Sequence, residues 1–406
     1  MTRPVRADPP RAGDPYGTGI VGSLLAPGLA IVGLLIVAIV TINLLNGQLP
    51  FGVGQTPGGN GGTGSDGPDR TPAPSNVVVV PETPEDEPLF SGAITYAKAG
   101  NIWVQTPDGA TQLTDSSDGY DSMPSWSPDG EYVYYIQTKR SRGFWPVNGR
   151  PGTYDMEVPH LMRVRVDRSA PPEDLESGRF RDGNLTWFSW MRQPVVSPSG
   201  RTVAMVTDQP RPDERDVVVQ FYSLENGKFS RPDLPVMSPL GHQDPAWRPD
   251  GQFLAFVRNG REGATGAPVI YRYDVKEKAS RPLTSAGYIE PSYSPDGKYL
   301  AATRQSTIGT DVVILDGRTG TELSRVTSDG RSWGPKWSPA GDGIAFLRID
   351  GQSVDLHLAK LGGTPGAWTV DEVLPLTDVS GLDAASKPDW YIPAEELPAA
   401  SPSPAQ

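Results

Sequence analysis

His160, His242 and His357 are the only three imidazoles in a chain of 406 residues that contains no cysteine. Imidazole is the side chain best suited to proton transfer or metal ligation near neutral pH, and a thiolate is its usual nucleophilic or soft-ligand companion. The missing thiol excludes disulfides, thiolate metal sites and a cysteine nucleophile. The three histidines fall in three different sequence repeats, so only a centre common to all repeats would unite them. His357 alternates with Leu356 and Leu358, the pattern of a strand packed between sheets. No Gly-x-Ser-x-Gly stretch stands as a nucleophile elbow between a strand and a helix pattern, since Gly330-Arg331-Ser332-Trp333-Gly334 only leads into the repeat copy at Pro335, and no glycine-rich phosphate loop follows a strand. The acidic stretch from Asp115 to Asp121 offers the oxygen chemistry of calcium without the spacing of a calcium loop, and it reads as solvated carboxylates. No catalytic, cofactor-binding or metal-ligating residue is expected, and the chain is not read as an enzyme.

One segment does have the composition of a binding surface. Thr138–Pro159 carries Arg140, Arg142, Phe144, Trp145 and Arg150 in a Gly/Pro-rich insertion, and Trp187, Phe188, Trp190, Met191 and Arg192 follow later in the same repeat. Arginine with aromatics is the chemistry of interface hot spots. Packing of the insertion onto the fold remains an equal reading for Phe144 and Trp145, and the favoured one for Trp187 and Trp190. The formal net charge of −12 argues against a nucleic-acid partner, which needs a basic face to displace counterions from phosphate.

The element that must position these groups is a repeat. Its clearest copy runs Pro245-Ala246-Trp247-Arg248-Pro249-Asp250-Gly251, and the others start at Pro124, Pro194, Pro291, Pro335 and Pro388. Spacings of roughly 44 to 70 residues signal a repeat architecture. In five of the six copies a short strand carries an aromatic, Trp126, Trp247, Tyr293, Trp337 or Trp390, and the copy at Pro194 has Val196 there. A Ser-Pro-Asp-Gly-type turn follows, with Asp129 and Gly130, Asp250 and Gly251, or Asp296 and Gly297. In such a turn proline presets φ, aspartate bonds locally and glycine accepts positive φ. These residues read as structural. The next strand is apolar at almost every position, as in Tyr132-Val133-Tyr134-Tyr135-Ile136, which requires cover on both faces. A third strand and a fourth ending in Leu-Thr or Val-Thr complete a four-stranded propeller blade. The chain enters at a second strand, Ala93-Ile94-Thr95-Tyr96, and the missing first strand stands at the far end, Pro388-Asp389-Trp390-Tyr391-Ile392. The expectation is an all-β, six-bladed β-propeller whose C-terminal strand closes the first blade.

The copies at Trp126, Trp247, Tyr293 and Trp337 resemble the PD40, or WD40-like, repeats of the TolB-like β-propeller family over about Ser91–Ile392. The resemblance implies the propeller fold and, by association, an interaction role without a cofactor. The same repeats occur in peptidase propellers and surface proteins. A propeller hydrolase or lyase acting on peptides or glycans therefore stays as an alternative, as does a ligand-binding sensor that needs a signalling partner. TolB itself is a soluble periplasmic protein with an α/β domain before the propeller, and this chain differs there.

Ile20–Leu45 carries no charge and, as a helix of about 39 Å, is long enough for a hydrocarbon core of about 30 Å. Arg3, Arg6 and Arg11 precede it and no Lys or Arg follows until Arg70, which places the N-terminus in the cytoplasm and the rest outside. The expected organisation is a cytoplasmic segment at 1–19, a single transmembrane helix at 20–46, a disordered Gly/Pro/acidic tether at 47–89, the propeller at 90–393 and a disordered tail at 394–406. The expected partners are the membrane, through that helix, and a protein or envelope component. Alkaline phosphatase fused after Gln406 is expected to be active in cells; an inactive fusion, with an active cytoplasmic reporter at the same place, would reverse this topology.

Overall fold

The computed structural model describes residues 88–397, except 118, 147, 213–215, 236–240 and 260–266. The expected span at 20–46 and nearly all of the tether lie outside the described residues. Among the described residues no helix is long and apolar enough to cross a membrane.

Six antiparallel sheets form six blades. Blade 1 contains β1 (Ala93–Lys98), β2 (Asn101–Thr106) and β3 (Gly109–Gln112). Blade 2 contains β4 (Gly119–Trp126), β5 (Tyr132–Phe144), β6 (Thr153–Arg165) and β7 (Glu173–Ser177), with an added hairpin, β8 (Arg179–Asp182) and β9 (Leu185–Phe188). Blade 3 contains β10 (Met191–Val196), β11 (Thr202–Thr207), β12 (Val218–Ser223) and β13 (Phe229–Ser230). Blade 4 contains β14 (His242–Trp247), β15 (Phe253–Arg258), β16 (Val269–Asp274) and β17 (Ala279–Pro282). Blade 5 contains β18 (Tyr288–Tyr293), β19 (Tyr299–Ser306), β20 (Gly309–Asp316) and β21 (Glu322–Arg325). Blade 6 contains β22 (Ser332–Trp337), β23 (Gly343–Asp350), β24 (Ser353–Thr364) and β25 (Ala367–Pro375). The last strand, β26 (Asp389–Tyr391), is the inner strand of blade 1. The inner strands β4, β10, β14, β18, β22 and β26 touch in succession, and β26 touches β4, so the ring closes around a central channel.

The second strands explain why a blade needs neighbours on both sides. In β15, Leu254 and Phe256 enter the cluster shared with Val206 and Val219 of blade 3, whereas Ala255 and Val257 enter the one shared with Leu300 and Val313 of blade 5. Successive side chains point to opposite faces, so continuous apolarity serves two interfaces at once. One such cluster fills each of the six junctions between blades.

The hairpin turn is locked by its own side chains. Ser294 Oγ donates to Asp296 Oδ1 (2.6 Å), which also accepts the Lys298 N–H (3.0 Å), while Ser294 Oγ accepts the Tyr299 N–H (3.0 Å). Ser127 and Asp129 repeat the arrangement, and Gly130, Gly251 and Gly297 have φ of 71°, 69° and 67°. In blade 6, where alanine stands in the aspartate's place, Ser338 donates to Asp342 instead (2.6 Å).

The closing strand pairs Ala93 with Tyr391, Ile94 with Trp390 and Thr95 with Asp389. Trp390 is buried in the cluster between blades 6 and 1, meets Phe90 edge-on at 5.8 Å and donates from Nε1 to the Ser91 carbonyl (2.9 Å). Asp389 accepts the Trp126 N–H (2.7 Å) and pairs with Lys336 (2.5 Å), which ties blades 2 and 6 to the seam. The tail expected to be unstructured from 394 begins instead as a 3-10 turn, Ala394–Glu396, and Leu397 packs on the seam cluster, because that apolar surface extends past Ile392. Truncating Trp390 to alanine is expected to cost about 3–5 kcal/mol and to lower Tm by roughly 10 °C. An unchanged melting curve would show that this strand does not hold the ring closed.

Candidate functional site: the channel and its second-blade wall

Every inner strand of blades 2 to 6 is bulged at one place. Met123, Gln193, Asp244, Glu290 and Gly334 each precede the repeat proline, with φ of 55°, 53°, 53°, 54° and 63°. The ladder register shifts across each of them. Proline has no N–H for the ladder and disfavours a right-handed helical residue before it. A left-handed residue there absorbs the mismatch as a bulge. For the four non-glycine residues this conformation costs on the order of 1 kcal/mol or more each, offset by bonds to the next blade. The Gln193 N–H meets Met123 Sδ (3.2 Å), the Asp244 N–H meets Gln193 Oε1 (2.9 Å), the Glu290 N–H meets Asp244 Oδ2 (3.2 Å) and the Gly334 N–H meets Glu290 Oε2 (2.8 Å). The Met123 N–H meets Ser386 Oγ, just before β26 (2.9 Å).

The residues before the proline thus form a ring at one level of the channel. Lys387, the sixth member, reaches from blade 1 to Asp244 of blade 4, with Nζ 3.7 Å from Oδ1. Gly334, whose φ of 63° suits glycine, lies beside that crossing, where a Cβ would stand in ordinary contact, 3.4 Å from Lys387 Cγ. Gln193 Nε2 donates to the same Asp244 oxygen (2.5 Å). Thr303 donates to Glu290 Oε2 (2.6 Å). Burial, reinforced by the negative charge of Asp244 and opposed by Lys387, pushes the Glu290 carboxyl above its ordinary range. One residue nearer the start of its strand, Arg192 faces the fields of Asp244 and Tyr120, and burial lowers its guanidinium pKa.

Arg192 was read in the sequence with the second-blade aromatics, but none of the ring residues Met123, Gln193, Asp244, Glu290, Gly334 and Lys387 stands out there by type. Their shared signal is positional, since each directly precedes the proline that begins a repeat copy. A search for histidines or for contiguous motifs passes over them.

The second-blade insertion forms a wall beside this channel. β5 and β6 pair along 13 residues, from Tyr132↔Arg165 to Phe144↔Thr153. Gly119 pairs with Lys139 at the start of β4, so everything beyond Lys139 rises above the end of the channel where the inner strands begin. β9 joins the tip through Phe144↔Thr186. Trp145 lies 6.5 Å from Phe180 and 6.0 Å from Trp187, which stacks on Phe188 at 5.5 Å. Trp190 follows edge-on to Phe188 at 5.4 Å, and Tyr154 edge-on to Trp187 at 5.7 Å. The structure therefore uses Trp145, Trp187 and Trp190 to pack the wall. Phe144 is half-buried at its tip, and Arg140, Arg142 and Arg150 are exposed. Arg142 lies 3.6 Å from Asp155, both largely in solvent, a pair that contributes little. A cleft of about 370 Å³ opens between this wall and blade 3, lined by Glu176, Arg179, Phe180, Arg181, Asp182 and Arg211 among others. Beside it, buried Asp208 accepts the Trp190 N–H (2.8 Å), and burial raises its carboxyl pKa to about 7.

The three histidines do not meet. His160, on β6, bonds Asp174 (2.8 Å), and His357, on β24, lies over Phe346 and 3.1 Å from Asp350. His242 replaces a threonine. In blades 1, 4, 5 and 6, Thr114, Thr284, Thr327 and Thr377 accept the N–H of Ile102, Ile270, Val312 and Leu356. This is the work of the Leu-Thr and Val-Thr pairs. Blade 3 has Leu234-Pro235 at the corresponding place, and there His242 Nδ1 accepts the Val219 N–H (3.2 Å) while Nε2 donates to the Pro235 carbonyl (2.8 Å). In the acidic stretch, Gly119–Asp121 belongs to β4 rather than a loop, and buried Asp121 accepts from Ser116 (2.7 Å) and Gln137 (2.9 Å). Among the described residues no group of three or more carboxylate and imidazole side chains is placed to hold a metal.

No known family profile matches the chain. An uncharacterized protein of Agrobacterium fabrum, Atu1656, is 30% identical over 158 residues, 36% of this chain and 43% of that one, so the match spans under half of that relative. Among solved structures, TolB from Acinetobacter baumannii is similar at TM-score 0.53 and 20% identity, over 74% of this chain and 67% of that one. A putative TolB from Agrobacterium tumefaciens is similar at TM-score 0.51 and 17% identity, over 75% and 95%. These likenesses establish the fold, a six-bladed propeller of the kind those proteins have.

Burial lowers the pKa of His242 to about 4, so the native state holds it neutral. Its folded value lies below the unfolded value of about 6.5. Its contribution is therefore complete above pH 6.5 and is lost as pH falls toward 4, on the order of 3 kcal/mol in total. His242→Ala is expected to destabilise the protein at pH 7 and to flatten this part of the acid limb. A wild-type-minus-variant difference in unfolding free energy that does not change with pH would rule the role out.

Proposed function

We propose that this chain is a non-enzymatic interaction module, a TolB-like propeller held outside the cytoplasm by one N-terminal membrane helix and a tether, and that it binds a protein or envelope partner. The observation that carries the reading is the second-blade wall. Its aromatics are spent on holding a long hairpin upright, and the hairpin lifts exposed Arg140, Arg142 and Arg150 above the face on which the channel opens. In a chain of net charge −12 this is a local basic edge, with Arg179 and Arg181 close by at the cleft. Such an edge suits an acidic surface, and charge pairs of this kind set encounter rate and register.

The polar groups of the repeats support the same reading. The Ser-Asp turns, the threonine latches, His242 and Asp121 are all bonded within the fold. None is left as a nucleophile–base pair, which an acyl- or glycosyl-transfer site would need.

The partner is expected to be retained from envelope extracts by the tethered full-length chain and released by moderate salt. Charge reversal at Arg140, Arg142 and Arg150 together should weaken that binding by about tenfold or more, mostly through the association rate. Turnover of a peptide or glycan library with no retained partner would overturn the reading in favour of a hydrolase or lyase.

A further inference from the structure

The channel holds one charge that the fold does not use. Arg192 forms no hydrogen bond and no ion pair among the described residues, although it sits beside the densest polar network of the protein. All around it, donors and acceptors are matched. Asp244 takes Gln193, the Glu290 N–H and Lys387, and Glu290 takes Thr303 and the Gly334 N–H. The guanidinium lies near Asp244 and Tyr120 without bonding either. The residue is half-buried, so its guanidinium keeps contact with water in place of a partner from the fold. At the corresponding positions of blades 5 and 6, Ile289 and Trp333 pack in the clusters between blades.

We propose that the channel binds a ligand carboxylate, taken in through the end where the inner strands begin and held by Arg192 above the Lys387–Asp244 crossing. The planar guanidinium fork matches a carboxylate bidentately. The ring sets the charge. Asp244 and Glu290 line the floor and Asp383 lies near Tyr120, so a dianion such as a phosphate monoester meets repulsion that a monoanion largely escapes. Lys387 crossing to Asp244 closes the floor, so the ligand enters from one end and stops there. Tyr120, 44% exposed and paired with Thr138 across the β4–β5 ladder at the base of the second-blade wall, stands at the same end and offers its ring and hydroxyl to whatever carries the carboxylate. The carboxylate comes either from a small organic acid or from the C-terminus of a polypeptide. The site uses none of Arg140, Arg142 and Arg150, so it stands or falls apart from the protein-binding edge.

The test is calorimetric titration of the purified full-length chain with three probes: N-acetyl-dialanine, its C-terminal amide, and propionate. The free acid is expected to bind at least about tenfold more tightly than the amide, the worth of a charge-assisted pair. Propionate binding as tightly as the peptide acid assigns the site to small acids, and markedly weaker propionate assigns it to a chain terminus; either supports the site. Arg192→Met should abolish acid binding and leave the ligand-free Tm unchanged or higher, since it removes a side chain that bonds nothing in the fold, while Arg192→Lys should keep part of the affinity. Charge reversal at Arg140, Arg142 and Arg150 should leave acid binding untouched. Equal binding of acid and amide, or no binding of the acid, would overturn the proposal on the wild-type protein alone. So would Arg192→Met melting well below the wild type without ligand, which is the signature of a structural arginine.

Discussion

A blade whose second strand is apolar on both faces cannot be stable alone. Each sheet must be covered twice, and in a chain of such sheets only a closed ring covers the first and the last. The seam is where this constraint is met. β26 brings Trp390 into the cluster between blades 6 and 1, and Asp389 bonds blade 2 through the Trp126 N–H and blade 6 through Lys336. The other five junctions repeat the same apolar contacts with chain connectivity to help them. The seam has its side chains, three ladder pairs, the Lys98↔Leu382 bridge and the Asp383 N–H bonded to the Ala97 carbonyl (2.9 Å).

Closure brings the inner strands together, and the repeat proline decides what they present. By withholding an N–H it forces a bulge, the bulge turns the preceding residue to positive φ, and that residue's side chain accepts the next blade's N–H. The same device therefore stitches the ring and lines the channel. The ring positions can differ freely in side chain as long as the bulge survives. Met123, Gln193, Asp244, Glu290 and Gly334 share one backbone role with five chemistries.

Much of the architecture was legible in the residues. Aromatic-Ser-Pro-Asp-Gly reads as a hairpin because proline, aspartate and glycine each have one dominant backbone use, and Ser294, Asp296 and Gly297 use them in that way. Ala93-Ile94-Thr95-Tyr96 reads as a second strand lacking its first, and Trp390 as the missing piece, because both match the repeat. The candidate site was far less legible. Trp145 carries the composition of a hot spot, yet it packs against Phe180 and Trp187, and composition does not separate an aromatic that holds up a hairpin from one offered to a partner. His242 has the side chain of a catalyst and the work of Thr114, a substitution visible only once Val219 and Ile102 are seen to be equivalent.

The sequence by itself determined the blade, the number of blades and the manner of closure, because these follow from local backbone preferences and from a pattern repeated often enough to be recognised. Only the tertiary structure decided the channel. Arg192, Gln193, Asp244, Glu290 and Lys387 stand in four different blades, and although four of them share a place before a repeat proline, nothing local sets which of them meet. Their chemistry depends on distances across the ring, such as the 3.7 Å between Lys387 and Asp244, which exist only after six sheets have closed on one another.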